Sequence, residues 1–385
     1  MKINFAGIIQ GQEEADAVIR VIQSEWHGSG NEAKTFEQDF ADFIGTKYAL
    51  TVNSGSSANL LAIKALDIPE GSCVLTSGCG FPATLSPIIH AGYKPVLVDY
   101  DIKTHNIDLD QVEKACKTVK VHAIIFAHTM GNPVDMTRLM EIANKYKIKV
   151  IEDCCEALGA VWNGKQVGSF GDLATFSFYP SHQLNGMGMG GAIVTNNVEY
   201  ALKMRSMRNW GKQANAPKFT GDHVTTYNTL VDGIPYDEGY AYETIGYNLL
   251  MPDVNVAYLR VQFKRLADFV ARRKHNWETL HNALKDLPIG LMPVQDGAVP
   301  SYFGFTMITL PDERDKFADY LESTGIRTRP FFAGNITRHD PFRYLLQDLP
   351  IADKFMRQAL FVGVWPGITD EHLEYIIETI KNYWK

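Results

Sequence analysis

Cysteine is scarce in this 385-residue chain, and what there is does not pair. The five cysteines, Cys73, Cys79, Cys116, Cys154 and Cys155, form no CxxC spacing. An odd, scattered set of this kind argues against a disulfide framework and a thiolate zinc site, and it fits free thiols in a reducing cytoplasm. Long apolar runs are missing as well; none approaches the roughly 20 residues that a membrane-crossing helix needs. The start, MKINFAGIIQGQEEADAV, has no signal-peptide h-region. Positive charge is not in excess either. The formal net charge of -7 argues against a nucleic-acid-binding face, while leaving room for a local basic pocket around a phosphate ester. Low-complexity segments, linkers and repeats with periods of roughly 20–50 residues are also absent.

What remains reads as an ordinary soluble globular protein, 45% hydrophobic and 21% charged. Its length suggests two domains with one site between them. Short β-rich runs alternate with helical patterns. PVLVDY, VHAIIFAH, KVIEDC, DLATFSFYP and AIVTNN read as strands, and DMTRLMEIANKYKI as an amphipathic helix with Asp135 as its N-cap. Such alternation predicts an α/β fold: a mostly parallel sheet with helices on both faces, and a site wall built at the strand C-termini. Beyond about residue 255 the pattern changes. One long charged helical stretch, VNVAYLRVQFKRLADFVARRKHNWETLHNALKDL, precedes SYFGFTMITL and the helix RDKFADYLESTG. We therefore expect a large domain over residues 1–255 and a smaller α+β domain over 256–385.

Four motifs carry chemistry. SGSSAN, with Ser54, Gly55 and Ser56, precedes a helical run, and small residues at a helix start offer N–H groups and hydroxyls to a phosphate. An ordinary N-cap would look the same. Phe81, in GFPAT, follows a strand end and could stack on a flat cofactor or simply fill core. Asp153 closes an apolar strand, where a carboxylate could pair with a protonated ring nitrogen or serve as a structural ion pair. SFYPSHQLNGMGMGG reads as a strand, a turn and a glycine-rich return, with Ser181, His182 and Gln183 at the turn and no lysine. Its GMGMGG matches a dinucleotide fingerprint only literally, because a strand rather than a helix follows.

In this order, the motifs resemble the DegT/DnrJ/EryC1/StrS family of sugar aminotransferases, which are fold-type I pyridoxal-phosphate enzymes. ALTVNSGSSANLLAIKAL, GFPATLSPIIHAGYKPVLVD, HTMGNPVDM, VIEDCCEALGA, FSFYPSHQ, RNWGK and GYNLLMPD carry the resemblance over nearly the whole chain. Where the family has its cofactor-bearing lysine, counting forward from Ser177-Phe178-Tyr179-Pro180 gives His182; counting back from Gly190-Gly191 gives Gln183. A histidine there is similar to the branch of sugar 3-dehydratases that act on CDP- or GDP-linked 4-keto-6-deoxyhexoses. Two departures stand out. The stretch RNWGKQANAPKFTGDHVTTYNTLVDG lacks the four iron–sulfur cysteines of the CDP-sugar enzymes, and Met189 stands where the family usually has glutamate.

The resemblance implies a cofactor used as pyridoxamine or pyridoxal phosphate; the missing cysteines lead us to expect no iron–sulfur cluster, and no metal is expected. Ser54, Gly55, Ser56 and Ser177 would hold the phosphate, Phe81 would stack on the ring, and Asp153 would hold its nitrogen. Asn248, in IGYNLLMPD, would reach the phosphate of a neighbouring subunit, so that a homodimer shares its sites. Arg329, Asn335 and Arg338, in TRPFFAGNITRHD, are candidates for the nucleotide-sugar diphosphate. The catalytic residue would be His182, which cannot hold the cofactor covalently yet can move protons near neutral pH. The substrate would be a nucleotide-linked 4-keto-6-deoxysugar, L-glutamate would be the amino donor, and the C3 hydroxyl would be lost. Two alternatives remain open: an aminotransferase with its lysine elsewhere, for example Lys212, and a non-catalytic cofactor-binding homologue.

Overall fold

The computed structural model describes residues 1–215 and 225–385, so the cysteine-free stretch after Arg208 lies partly outside the described residues. Seven strands form the main sheet: β1 (Tyr48–Val52), β2 (Cys73–Ser77), β3 (Lys94–Val98), β4 (Val121–Ala127), β5 (Lys149–Asp153), β6 (Leu173–Ser177) and β7 (Gly191–Thr195). Their order is β1-β7-β6-β5-β4-β2-β3. From β6 through β3 every pairing is parallel, whereas β7 runs antiparallel to both of its neighbours. The expected α/β sheet is present, and AIVTNN is its one reversed strand.

Burial explains the strand sequences. In β4, Val121, Ala123, Ile124, Ile125 and Phe126 are all buried, because helices cover both faces and no alternation is needed. Two helices start at strand ends that face the site, α1 (Gly55–Ala65) and α2 (Pro82–His90). The expected helix with its Asp135 cap spans Met136–Tyr146, and Asp135 accepts from the Arg138 N–H at 3.0 Å.

The long helical stretch is broken. It forms α3 (Asp253–Lys264) and α4 (Leu266–Leu284), separated at Arg265, whose φ of -98° and ψ of 3° leave the helical region. Charge periodicity continues across this kink, which is why the sequence reads as one helix. The α3 face bearing Val256 and Leu259 joins a core with Phe36 and Phe40, next to β6 and β7. A second core surrounds the four-stranded antiparallel sheet containing Gly304–Ile308 and Ala359–Gly363 and includes Trp277 and Leu280 of α4. Ile3 joins this core and bridges to Ile326, so the chain start packs with the chain end.

Candidate active site

The C-terminal ends of β5 and β6, the start of α1 and the return into β7 converge on one cup. Ser54 caps α1, accepting from the Ser57 N–H at 3.1 Å, and pairs with Gly190 across the cup. The first N–H groups of α1 have no intrahelical acceptor and point out of the helix start. The glycines are dictated by contact. A Cβ on Gly55 would lie 2.8 Å from Ser177 Cβ and 2.9 Å from Cys155 Sγ, and one on Gly191 would lie 2.6 Å from the Ser54 backbone. The glycine-rich return thus lets a strand pass against the helix start, a use unrelated to dinucleotide binding. Gly55→Ala should cut affinity for pyridoxamine phosphate by at least about tenfold while leaving the circular dichroism spectrum intact, because overpacking of about 1–3 kcal/mol falls on the cup itself. Equilibrium dialysis with the fluorescent cofactor measures it.

Asp153 is 5% exposed and held on three sides. Its Oδ2 accepts from Asn59 Nδ2 and from Thr84 Oγ1, both at 2.8 Å, and its Oδ1 accepts from the Cys155 N–H at 3.2 Å. Asn59 is itself oriented by Thr175, whose hydroxyl donates to it at 2.6 Å. The carboxylate is therefore fixed in rotation. Lone pairs on Oδ1 remain available for a further donor. Thr84 belongs to α2, whose N-cap is Phe81, so the helix that steadies the carboxylate also carries the aromatic ring. Phe81 is 56% exposed and meets Phe332 edge-on at 6.4 Å. Phe332 lies 6.1 Å from Phe303, and Phe303 lies 5.1 Å from the His182 ring. An aromatic wall thus runs from the exposed ring to the histidine.

The turn after β6 places His182 and Gln183 in different surroundings. Gln183 is buried, with its amide donating to the carbonyls of Glu156 at 2.5 Å and Ser301 at 2.9 Å. His182, half-buried, lies against Phe303 and the Cys155 backbone. Burial, then the nearby Arg273 guanidinium, push the His182 imidazole down to about 3, while the Cys155 backbone acts the other way. The ring is neutral at physiological pH.

Glu156 was not singled out by sequence. It lines a small pocket with Phe81, Thr84 and Phe332, its Oε2 accepts from the Met130 N–H at 2.6 Å, and burial pushes its carboxyl up to about 8. Since the folded state holds this proton up to about pH 8 and an unfolded chain only to about 4.5, Glu156 costs stability progressively as pH rises between those values. Glu156→Gln should therefore raise the melting temperature at pH 8 more than at pH 5, a comparison that differential scanning calorimetry makes directly.

Four sequence candidates lie outside the cup. Asn335 is fully buried, donates to Asp353 at 2.8 Å and caps a short helical turn; Arg338 pairs with the same Asp353 through Nε and Nη2. Arg329 is exposed, with its guanidinium 5.2 Å from the centre of the Phe5 ring. Asn248 is exposed on the wall of a separate cavity of about 1160 Å³, together with Trp26, Trp210, Lys212 and Tyr240. Lys212 thus lines the same cavity as Asn248. His128, Glu152 and Cys154 cluster in the interior. The His128 and Glu152 ligand atoms are already engaged: Glu152 accepts from the N–H groups of Gly168, Phe170 and Gly171 and faces His128 Nε2 at 3.2 Å, and His128 Nδ1 accepts from the Val134 N–H.

A mostly parallel sheet with one reversed strand, a helix start built from small residues and a fixed carboxylate at a strand end fit the fold-type I class of pyridoxal-phosphate enzymes. Within that class the chain belongs to the DegT/DnrJ/EryC1/StrS aminotransferase family, whose model matches residues 9–381. It is 36% identical to a dTDP-4-dehydro-2,6-dideoxy-D-glucose 3-dehydratase of Saccharopolyspora spinosa, over 99% of this chain and 86% of that one. It is 32% identical to a dTDP-3-amino-3,6-dideoxy-alpha-D-galactopyranose transaminase of Aneurinibacillus thermoaerophilus, over 97% and 95%. The crystal structure of the E. coli GDP-4-keto-6-deoxy-D-mannose-3-dehydratase with bound hydrated PLP superposes with a TM-score of 0.89 at 28% identity, covering 98% of this chain and 99% of the other. Dehydratases and transaminases both occur among the relatives, so the family alone defines a sugar-modifying enzyme of the pyridoxal-phosphate class.

Proposed function

We propose that this protein is a pyridoxamine-phosphate-dependent dehydratase that removes the C3 hydroxyl of a nucleotide-linked 4-keto-6-deoxyhexose. One feature carries the reading: the forward count from Ser177 puts His182 where the family has its lysine, and its ring packs on Phe303 while the Gln183 amide is bound to interior carbonyls. The residues present fit the cofactor. The helix start with Ser54, Gly55 and Ser56, aided by Ser177, would hold its phosphate, Phe81 its ring face and Asp153 its ring nitrogen. When bound, the cofactor supplies a protonated ring that withdraws electrons from the carbon bearing the amine. Asp153 keeps that ring nitrogen protonated through its charge. His182, neutral at rest, would take the proton at the cofactor's C4′ carbon and pass it on. Phe303 and Phe332 exclude water from one side of that transfer. Because a histidine forms no lasting covalent link to the cofactor, the family's usual lysine-assisted amino-group return is lost, and with it ordinary transamination.

Asn248 lines a separate cavity and would serve the phosphate site of a partner in a homodimer. Arg329, exposed and paired with no carboxylate among the described residues, is a stronger candidate for the sugar's diphosphate than Asn335 or Arg338, which Asp353 engages. L-glutamate would regenerate the amine form. The transaminase reading is weaker, since no lysine stands on the cup turn from Ser177 to Gly191. The test is incubation with pyridoxamine phosphate and CDP-, GDP-, dTDP- and UDP-linked 4-keto-6-deoxyhexoses, read by mass. Replacement of the C3 hydroxyl by hydrogen, a net loss of one oxygen from the sugar with release of ammonia and conversion of the cofactor to pyridoxal phosphate, supports the dehydratase; amine gain without loss of oxygen at C3 refutes it.

Iron should play no part. Cys79 and Cys154 are buried in the interior, and the sequence has no cysteine between Cys155 and its end. Anaerobically purified protein should therefore contain neither iron nor acid-labile sulfide in stoichiometric amount. Cluster-level iron would restore a one-electron reductive route.

A further inference from the structure

Arg273 of α4 is 2% exposed and lies among the largest fully buried side chains of the protein. A buried guanidinium is costly unless an anion neutralises it. Here no carboxylate among the described residues pairs with it. Its Nη2 donates to the carbonyl of His182 at 2.8 Å, and its Nη1 donates to the carbonyls of Tyr302 at 3.3 Å and Phe303 at 3.2 Å. Its Nε has no partner. One side chain thus ties the histidine's own backbone to the segment whose Phe303 ring packs on the imidazole. A lysine, with one compact head, could not span three carbonyls so placed.

The charge is as informative as the geometry. Around His182, residues 7–9, Gln262, Phe269 and Pro366 line the adjoining cavity without charge. From the other side come the Phe303 ring and the Cys155 backbone. Cys155 is held protonated by burial, and the neighbouring Glu156 carboxyl is neutral at pH 7 for the same reason. Arg273 is therefore the one permanent charge among the described residues lining this surround.

We propose that Arg273 is a positioning residue for the histidine-centred reaction, fixing the His182 turn against Phe303 and placing an unneutralised cation behind the imidazole. The cation disfavours a second positive charge on the ring, so His182 rests as a proton acceptor and releases readily any proton it takes up. This deepens the dehydratase reading and rests on it for its catalytic meaning. The coupling between the two residues can, however, be read without turnover.

Two substitutions separate charge from geometry. Arg273→Gln keeps a donor and removes the charge; Arg273→Lys keeps the charge and loses the three-carbonyl span. Labelled-histidine NMR of the cofactor-loaded protein, with His182 assigned by its loss in His182→Asn, follows the ring's titration. In Arg273→Gln the midpoint should move up by about one pH unit, and the acid limb of kcat should move with it. In Arg273→Lys the midpoint should stay in place, while kcat falls at least about tenfold with KM unchanged. An unmoved midpoint in folded Arg273→Gln, an equal shift in Arg273→Lys, or wild-type kcat in Arg273→Lys would each overturn the proposal. Should Arg273→Gln fail to fold, both arms of the Arg273→Lys result still decide it. Failure of the dehydratase reading shows differently, as amine gain without loss of the C3 oxygen while the His182 midpoint still shifts in Arg273→Gln.

Discussion

His182→Asn is expected to lose dehydration by about 10²–10⁴-fold, the usual contribution of a positioned general base, while binding pyridoxamine phosphate and substrate as before. The backbone carbonyl of residue 182 still receives Arg273, and the smaller amide sits within the same turn, so the cup is preserved. Exchange of the proton at the cofactor's C4′ carbon, followed by NMR in deuterated solvent, isolates the step from later chemistry. Wild-type exchange in His182→Asn would remove the histidine from the mechanism. His182→Lys should differ in kind: a covalent, borohydride-trappable link to pyridoxal phosphate should form, and amine transfer should rise at the expense of water loss. Mass spectrometry of the reduced protein reads the adduct on the turn peptide.

Asp153→Asn should lower turnover by about 10–100-fold, since it removes a charge-assisted hydrogen bond of about 1.5–3 kcal/mol from the reacting system. The surrounding donors dictate how the amide would sit. Asn59 and Thr84 both donate to the oxygen at one end, so the amide oxygen belongs there and its NH₂ group turns toward the ring nitrogen. A donor then faces a donor, and the protonated ring loses its support. Packing is unchanged in volume, and the melting temperature should drop by only a few degrees. Wild-type turnover in this variant would show that the carboxylate serves the fold alone.

The main sheet was legible because its strands are short, apolar and closed by turn residues, and because Asp153 ends one strand and His182 lies in the turn after another. The glycines of the return were legible as a motif but not in their purpose: only the approach of β7 to Ser54 shows why a side chain is forbidden at Gly191. The kink at Arg265 escaped, since helical periodicity continues on either side of it. Arg338 and Asn335 looked like anion ligands because sequence cannot show that Asp353, more than a dozen residues on, turns back to meet them. Arg273 and Glu156 escaped for the complementary reason. A charged residue in a charged helix, or a glutamate after a strand, looks solvated until the fold is seen to bury it. Thr84 could have been found, as the hydroxyl one turn into the helix that carries Phe81.

Asn248 lies on a different wall from Asp153, and this has a genetic reading. In a homodimer whose sites each take Asp153 from one chain and Asn248 from the other, the two defects are separable alleles. A mixed dimer of Asp153→Asn and Asn248→Ala chains would gather both lesions in one site and leave the other intact. Co-expression of two inactive genes would then restore activity that neither shows alone, whereas two alleles within the cup, Asp153→Asn and His182→Asn, would not complement. Crosses between damaged copies would thus map which side chains share a chain and which share a site.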